Sequence, residues 1–232
     1  MNRSNTYIFI YATVMVTVVA AILSFAAITL KPYQDKNVEI EKKKNILASV
    51  KVECTADDAE EKYEKFIRES FVVNLNGEKV KSVDAFEVNM KDEMKKDASQ
   101  RNYPVYVFVH SDGSKKYILP VRGKGLWGPI WGFVSMESDF NTIYGAIFSH
   151  KGETPGLGAE IDTPEFQAQF DGKQIFNANH EFTSVSVVKG GADPDNIIAV
   201  DAISGGTITS NGLDAMLKDC LKNYLNYFKK HK

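Results

Sequence analysis

Cysteine is scarce in this chain of 232 residues, which holds only Cys54 and Cys220. Two thiols that far apart in sequence make no CxxC redox pair, no four-cysteine iron–sulfur site and no disulfide framework. A single disulfide stays open for an extracytoplasmic body, but Cys220 falls on the apolar stripe of a helix-like segment, where a buried thiol is the expected state. Histidine is nearly as sparse: His110, His150, His180 and His231 form no HExxH and no paired metal spacing, and no GxSxG elbow accompanies them. Zinc and serine-hydrolase chemistry therefore have no support. An excess of positive charge is missing too, with 28 Lys and Arg against 30 Asp and Glu. Without a basic stripe interleaved with aromatics, nucleic acid is a poor partner. Low-complexity linkers and internal repeats are absent after residue 31, and 44% hydrophobic with 25% charged residues is the composition of a folded chain.

What the sequence does have is one long apolar run. "YIFIYATVMVTVVAAILSFAAITL", from Tyr7 to Leu30, carries no charge. As a helix it reaches about 36 Å, enough to cross a hydrocarbon core of ~30 Å with some tilt. The competing reading is a cleaved signal peptide, but its apolar region usually spans only about 7–15 residues, so the run reads as an uncleaved anchor. Arg3 precedes it, whereas Lys31, Lys36 and Lys42 to Lys44 follow it, diluted by Asp35, Glu39 and Glu41. Counting Lys and Arg alone points to a cytoplasmic body.

Beyond Pro32 the periodicity becomes helical over residues 37–50, with Val38, Ile40, Ile46 and Leu47 set among charges. "DDAEEKYEKFIRESF" places Ala59, Tyr63, Phe66, Ile67 and Phe71 on one stripe and predicts a second amphipathic helix. The period then changes. "YPVYVFVH", "KKYILPV", "GFVSMES" and "NTIYGAIFSH" read as a meander of antiparallel strands, and "SVSVVKGG" and "NIIAVDAI" as two more strands split by the turn "ADPD". From Asn211 onward Leu213, Met216, Leu217, Cys220, Leu221, Tyr224 and Leu225 line one face of a closing helix, with basic residues in its last turn. The expected fold is α+β: a single N-terminal transmembrane helix followed by one antiparallel-sheet domain with flanking helices. Its expected boundaries are an anchor over residues 1–31 and a body over 32–232, of which 32–72 form a helical stalk and packing region and 73–232 the core.

Three glycine-bearing loops are candidate sites. "GKGLWG", residues 123 to 128, matches GxGxxG formally, but the helix a dinucleotide site needs after the third glycine is replaced by "PIWGF". With Trp127 and Trp131 it reads as a pocket wall or a hydrophobic plug. "HKGETPGLGAEID", residues 150 to 162, combines Pro155 with Gly156 and Gly158, so it can approach a planar ligand closely or serve as a plain surface turn. In "DAISGGTITS", residues 201 to 210, Gly205 and Gly206 turn the chain so that Thr207 is presented at a strand-to-helix junction, and Ser210 or Asn211 can cap the helix. A helix start suits a phosphate, although a turn and cap without ligand has the same local pattern.

"DAISGGTITS" resembles the flavinylation signature of the FMN-binding domains found in one subunit of the sodium-pumping NADH:quinone oxidoreductase and in its counterpart from the related Rnf complex. Asp201, Ser204, Gly205 and Thr207 fall in register, and Gly206 stands where that family usually has Ala. "GKGLWGPIWGF" and "HKGETPGLGAEI" resemble the tryptophan loop and the glutamate-threonine-proline loop of the sodium-pump protein, which favours it over the Rnf counterpart. The similarity covers most of the chain after the anchor. It implies FMN held by a phosphoester on Thr207 and attached by a separate flavin transferase. Ser204, Gly205 and Gly206 would shape the turn, while Thr209 and Ser210 support the phosphate. Leu126, Trp127 and Leu157 would pack near the isoalloxazine. The loop from Glu153 to Gly158 would offer backbone amides and the Thr154 hydroxyl to the ring or ribityl chain. The role implied is electron relay in a multi-subunit sodium-translocating NADH:quinone reductase, with no complete activity in this chain alone. The other subunits and the bacterial inner membrane would be its partners, and the body would face the extracytoplasmic side, against the Lys/Arg count. The Rnf counterpart is the alternative within that class, and a flavin-free anchored scaffold the alternative outside it.

Overall fold

The computed structural model describes residues 5–231. Two compact units divide between Lys42 and Lys43. The first consists of helix α1 (Asn5–Ser49) up to that point, and this is the one described helix long and apolar enough to cross a membrane. Its large apolar side chains from Tyr7 to Leu30 are exposed, as a lipid-facing helix requires. The expected helix over 37–50 is the continuation of the same element through Pro32, which costs a helix one amide donor.

The second unit is built on a six-stranded antiparallel sheet. After helix α2 (Ala59–Phe66) come β1 (Ile67–Val73), β2 (Lys79–Val80), the one-turn helix α3 (Met90–Glu93), β3 (Tyr103–Val109), β4 (Lys115–Lys124), β5 (Pro129–Met136) and β6 (Ile143–His150). Strand order is β2-β1-β3-β4-β5-β6, so the four strands expected from the sequence form the meander they predicted. Strand β1 is a correction. The stripe expected to continue helix α2 to Phe71 breaks at Ile67, because residues 67–73 pair with β3 from Ile67 opposite Phe108 to Val73 opposite Tyr103. Long-range pairing overrides the local helical pattern there.

Alternation of side chains across the sheet creates two cores. On one face, Tyr103, Val105, Leu119, Val121, Ile130 and Val134 pack with Leu213, Leu217, Leu221, Tyr224 and Phe228 from the C-terminal helices. On the other, Tyr106, Phe108, Ile118 and Phe133 pack with Ile46 of α1, with Val50 in the turn just after it, and with Tyr63 and Phe66 of α2. After β6 come helix α4 (Pro164–Ala168) and a separate two-stranded parallel sheet, β7 (Ser186–Val188) and β8 (Ala199–Asp201), which stays outside the meander. The chain closes with α5 (Thr207–Leu221) and α6 (Leu225–His231). Cys220 is buried as expected on α5, with burial raising its thiol pKa to about 11, and neither cysteine is in a disulfide.

Candidate functional site

The hairpin joining β4 to β5, the loop after β6 and the first turn of α5 converge at one end of the sheet. The hairpin turn is closed by the Gly125 N–H, which donates to the Gly128 carbonyl at 2.8 Å. The turn before α5 is closed by the Gly206 N–H on the Ile203 carbonyl at 3.0 Å. Gly205 has φ +74°, which a glycine adopts freely, and a Cβ there would run into the side chain of Leu157.

Glu153 ties the three segments together. It is 4% exposed. Its Oε1 accepts the Trp127 N–H at 2.8 Å, and its Oε2 accepts the Leu126 N–H at 3.3 Å and the hydroxyl of buried Thr209 at 2.5 Å. Burial pushes the carboxyl pKa up, but hydrogen bonds from Thr209, Trp127, Leu126 and Gly128 outweigh it and hold the group below its ordinary value. A charged carboxylate is therefore the resting state at neutral pH. The Glu153 N–H donates to His150 Nδ1 at 3.1 Å, which leaves the proton of a neutral imidazole on Nε2, 3.3 Å from Asp162 Oδ2. Gly158 fits beneath this carboxylate, where a Cβ would overlap Thr209 Oγ1 and Glu153 Oε2.

Around these contacts lies a cleft of about 220 Å3. Leu126, Glu153, Thr154, Leu157, Gly158, Gly205, Gly206, Thr207 and Thr209, all singled out from the sequence, line it. Trp127 stands beside it, 70% exposed, and Ser204 is exposed in the turn. Asp201 lies at the end of β8 and accepts the Ala192 N–H at 2.6 Å, so it shapes the preceding loop. Ile208 lines the cleft and was missed, although its place between Thr207 and Thr209 was the available signal.

Two local expectations are corrected. Helix α5 begins at Thr207 with Gly206 as its N-cap, so neither Ser210 nor Asn211 caps it. Ser210 is instead buried and its hydroxyl oxygen accepts the Ile203 N–H at 3.1 Å, which fixes the turn from behind. In the loop after β6, the Gly156 N–H donates to Glu160 Oε1 and the Leu157 N–H to the Thr154 carbonyl. Those two amides are thereby consumed within the loop, which presents the Thr154 side chain to the cleft.

The arrangement fits a phosphorylated flavin on two physical counts, the helix start and the apolar rim, while the size of the cleft leaves the ring system outside it. A glycine N-cap offers no side chain to the first-turn amides of α5, and no acidic residue stands in that turn, so an anion can take the free N–H groups. The cleft is too small to enclose a three-ring system, since sites for ligands of that size run from about 300 Å3 upward. An apolar rim is available for the remainder: of the six large apolar side chains exposed among the described residues of the body, Leu126, Trp127, Leu157 and Ile208 all gather here.

A phosphate-ready helix start under an apolar rim suits a phosphorylated aromatic ligand, and residues 125–222 match the family model of the FMN-binding domain, which places the body in a flavin-binding class. The NqrC protein of the Na(+)-translocating NADH-quinone reductase from Haemophilus ducreyi is 34% identical over 85% of this chain and 82% of its own length. The corresponding protein from Pseudomonas aeruginosa is 31% identical over 93% and 91%. The solved structure of its Parabacteroides distasonis counterpart superposes with a TM-score of 0.79 at 48% identity, over 86% of this chain and 96% of that one. NqrC of Shewanella oneidensis gives 0.73 at 26% identity, over 83% and 97%. The chain belongs to the NqrC family, one of the subunits of the Na(+)-translocating NADH-quinone reductases.

Proposed function

We propose that this chain carries FMN covalently, through a phosphoester on Thr207, and relays electrons between partner subunits of a membrane NADH:quinone reductase. The observation that carries the reading is the position of Thr207: it is the first residue of α5, half-buried at the wall of the cleft, with uncapped amides in the same turn. In the attachment step, a transferase brings an FMN donor whose phosphate bears a leaving group. The Thr207 oxygen forms the new P–O bond, the bond to the leaving group breaks, and the hydroxyl proton departs with it. The ester keeps the cofactor in place independently of free FMN, whereas noncovalent occupancy would follow ligand concentration.

Bound FMN supplies the electron-carrying chemistry, and the residues here supply position and electrostatics. The α5 amides and the Thr209 segment hold the phosphate end, and Leu126, Trp127, Leu157 and Ile208 cover the ring. The Thr154 side chain meets the ribityl chain or ring edge. The anionic Glu153 beneath the cleft sets a fixed negative charge near the cofactor. The α1 segment anchors the chain in the membrane, and the specific flavinylation pattern supports a body on the extracytoplasmic side, where a covalent bond prevents loss of flavin.

The test is in-gel ultraviolet fluorescence after denaturing electrophoresis of the full chain made with and without a flavin transferase, beside Thr207→Ala. A fluorescent band that requires both the transferase and Thr207 is expected. Covalent flavin on the alanine variant would place the attachment elsewhere.

A further inference from the structure

The sheet face opposite α5 continues past its core cluster toward the hairpin. There Trp131 of β5 pairs across the strands with Arg122 of β4 on one side and Ser149 of β6 on the other. Next along the same face, Lys124 pairs with Pro129, and the Lys151 N–H donates to the Pro129 carbonyl at 3.2 Å. Lys91, Arg122, Pro129, Trp131 and Lys151 line an open cleft of about 460 Å3, in which the Arg122 guanidinium sits 5.9 Å from the Trp131 ring.

Cations cluster here around an aromatic ring. Many lysines of the body are held by acids, among them Lys51, Lys62, Lys79, Lys95, Lys96, Lys116 and Lys222. Among the described residues, Lys91, Arg122, Lys124 and Lys151 make no ion pair. The nearby acids are engaged elsewhere: Asp92, whose charge acts on Arg122, binds Lys95 at 2.8 Å, and Glu93 binds Lys96 at 2.7 Å. Three cations without an acid partner, Lys91, Arg122 and Lys151, thus line one cleft with the Trp131 indole, on a molecule whose net charge is −2. Burial of Arg122 disfavours its charged form, a cost that a carboxylate partner would offset.

We infer that this cleft is a docking surface for an acidic segment of a partner protein, seated with its carboxylates on Arg122, Lys91 and Lys151 and an apolar side chain on Trp131. The cleft is open and shallow, whereas small-molecule sites bury most of their ligand, so a protein segment is the fitting occupant. Its use deepens the electron-relay reading, on which that consequence rests. The hairpin that begins at Lys124 and Pro129 carries Leu126 and Trp127 to the flavin cleft, so a partner seated here lies beside the cofactor rim. Opposite charges at such a contact act chiefly on association rate and orientation.

The binding arm uses full-length protein in detergent with a short polyglutamate peptide, read by Trp131 fluorescence in a Trp127→Phe background. The expected result is saturable binding, weakened roughly tenfold by Arg122→Gln with Lys151→Gln and abolished by high salt, as screening demands. Lys230→Gln on α6 serves as control and should leave it unchanged. Equal binding by the double variant, or stronger binding of inorganic phosphate or of vesicles containing phosphatidylglycerol, overturns the assignment. The functional arm places Arg122→Glu with Lys151→Glu in the assembled complex. NADH-driven quinone reduction should fall by about tenfold while the in-gel flavin band stays at the unsubstituted level. An unchanged rate overturns the docking proposal; a missing band in the unsubstituted protein would instead count against the flavin reading.

Discussion

At the scale of single residues, Glu153 does more for the site than the loop motif around it suggests. One carboxylate fixes the hairpin, through the amides of Leu126 and Trp127, and the first turn of α5, through Thr209. Replacing it by Gln leaves donors facing donors in a buried place, and a loss of about 2–3 kcal/mol is expected, measurable from urea midpoints. The pH dependence follows from the depressed folded pKa. A carboxyl group below its ordinary value of 4.5 contributes stability that is fully present above that pH and is lost as pH falls through the folded value. Thermal melts of the unsubstituted protein should therefore show a drop from neutral pH toward about pH 3 that is smaller in Glu153→Gln. An identical drop in both proteins would mean that the charge of Glu153 contributes nothing to the fold.

At the scale of elements, the turn into α5 uses its two glycines differently. Gly205 needs its positive φ and leaves no room for a side chain against Leu157, so Gly205→Ala should cost about 1–2 kcal/mol and lower the yield of covalent flavin. Gly206 has φ −100°, open to any residue, and a Cβ there would sit 3.0 Å from the flexible Ile203 side chain. Gly206→Ala restores the residue the resembled signature usually carries and should change stability by no more than about 1 kcal/mol. Paired denaturation curves decide this, and a larger loss at Gly206 than at Gly205 would contradict the turn geometry. Element scale is also where the local pattern was least informative. Strand β1 carries a stripe compatible with a helix and becomes a strand because β3 pairs with it.

At the scale of the whole molecule, the body holds its own two cores, and the last turns of α1 belong to one of them. Ile46 and Leu47 of α1 are buried together with Val50 just beyond it, and the Ser49 carbonyl accepts the Ser135 hydroxyl at 2.5 Å. Removal of residues 1–42 should leave a body that melts cooperatively near the temperature of the full chain. Removal of residues 1–50 strips out those three side chains, each worth about 1.5–3 kcal/mol, and should yield a protein that aggregates or melts far lower. Scanning calorimetry of the two shortened proteins separates these outcomes. Equal stability would show that the end of α1 is dispensable to the body.

By itself, the sequence determined what depends on neighbours along the chain. An uncharged run from Tyr7 to Leu30 is long enough to span a bilayer wherever the rest folds. Alternating apolar residues in 103–150 dictate strands whose connections are too short for anything but a meander. The spacing of Ser204, Gly205 and Thr207 displays a hydroxyl at a helix start through local geometry alone. Tertiary structure decided what depends on residues far apart: Glu153 meets Trp127 across 26 positions and Thr209 across 56, and Arg122, Trp131 and Lys151 come together only when three strands align. Burial is what gives the Glu153 contacts their strength, because a carboxylate withdrawn from water must find its partners in the fold.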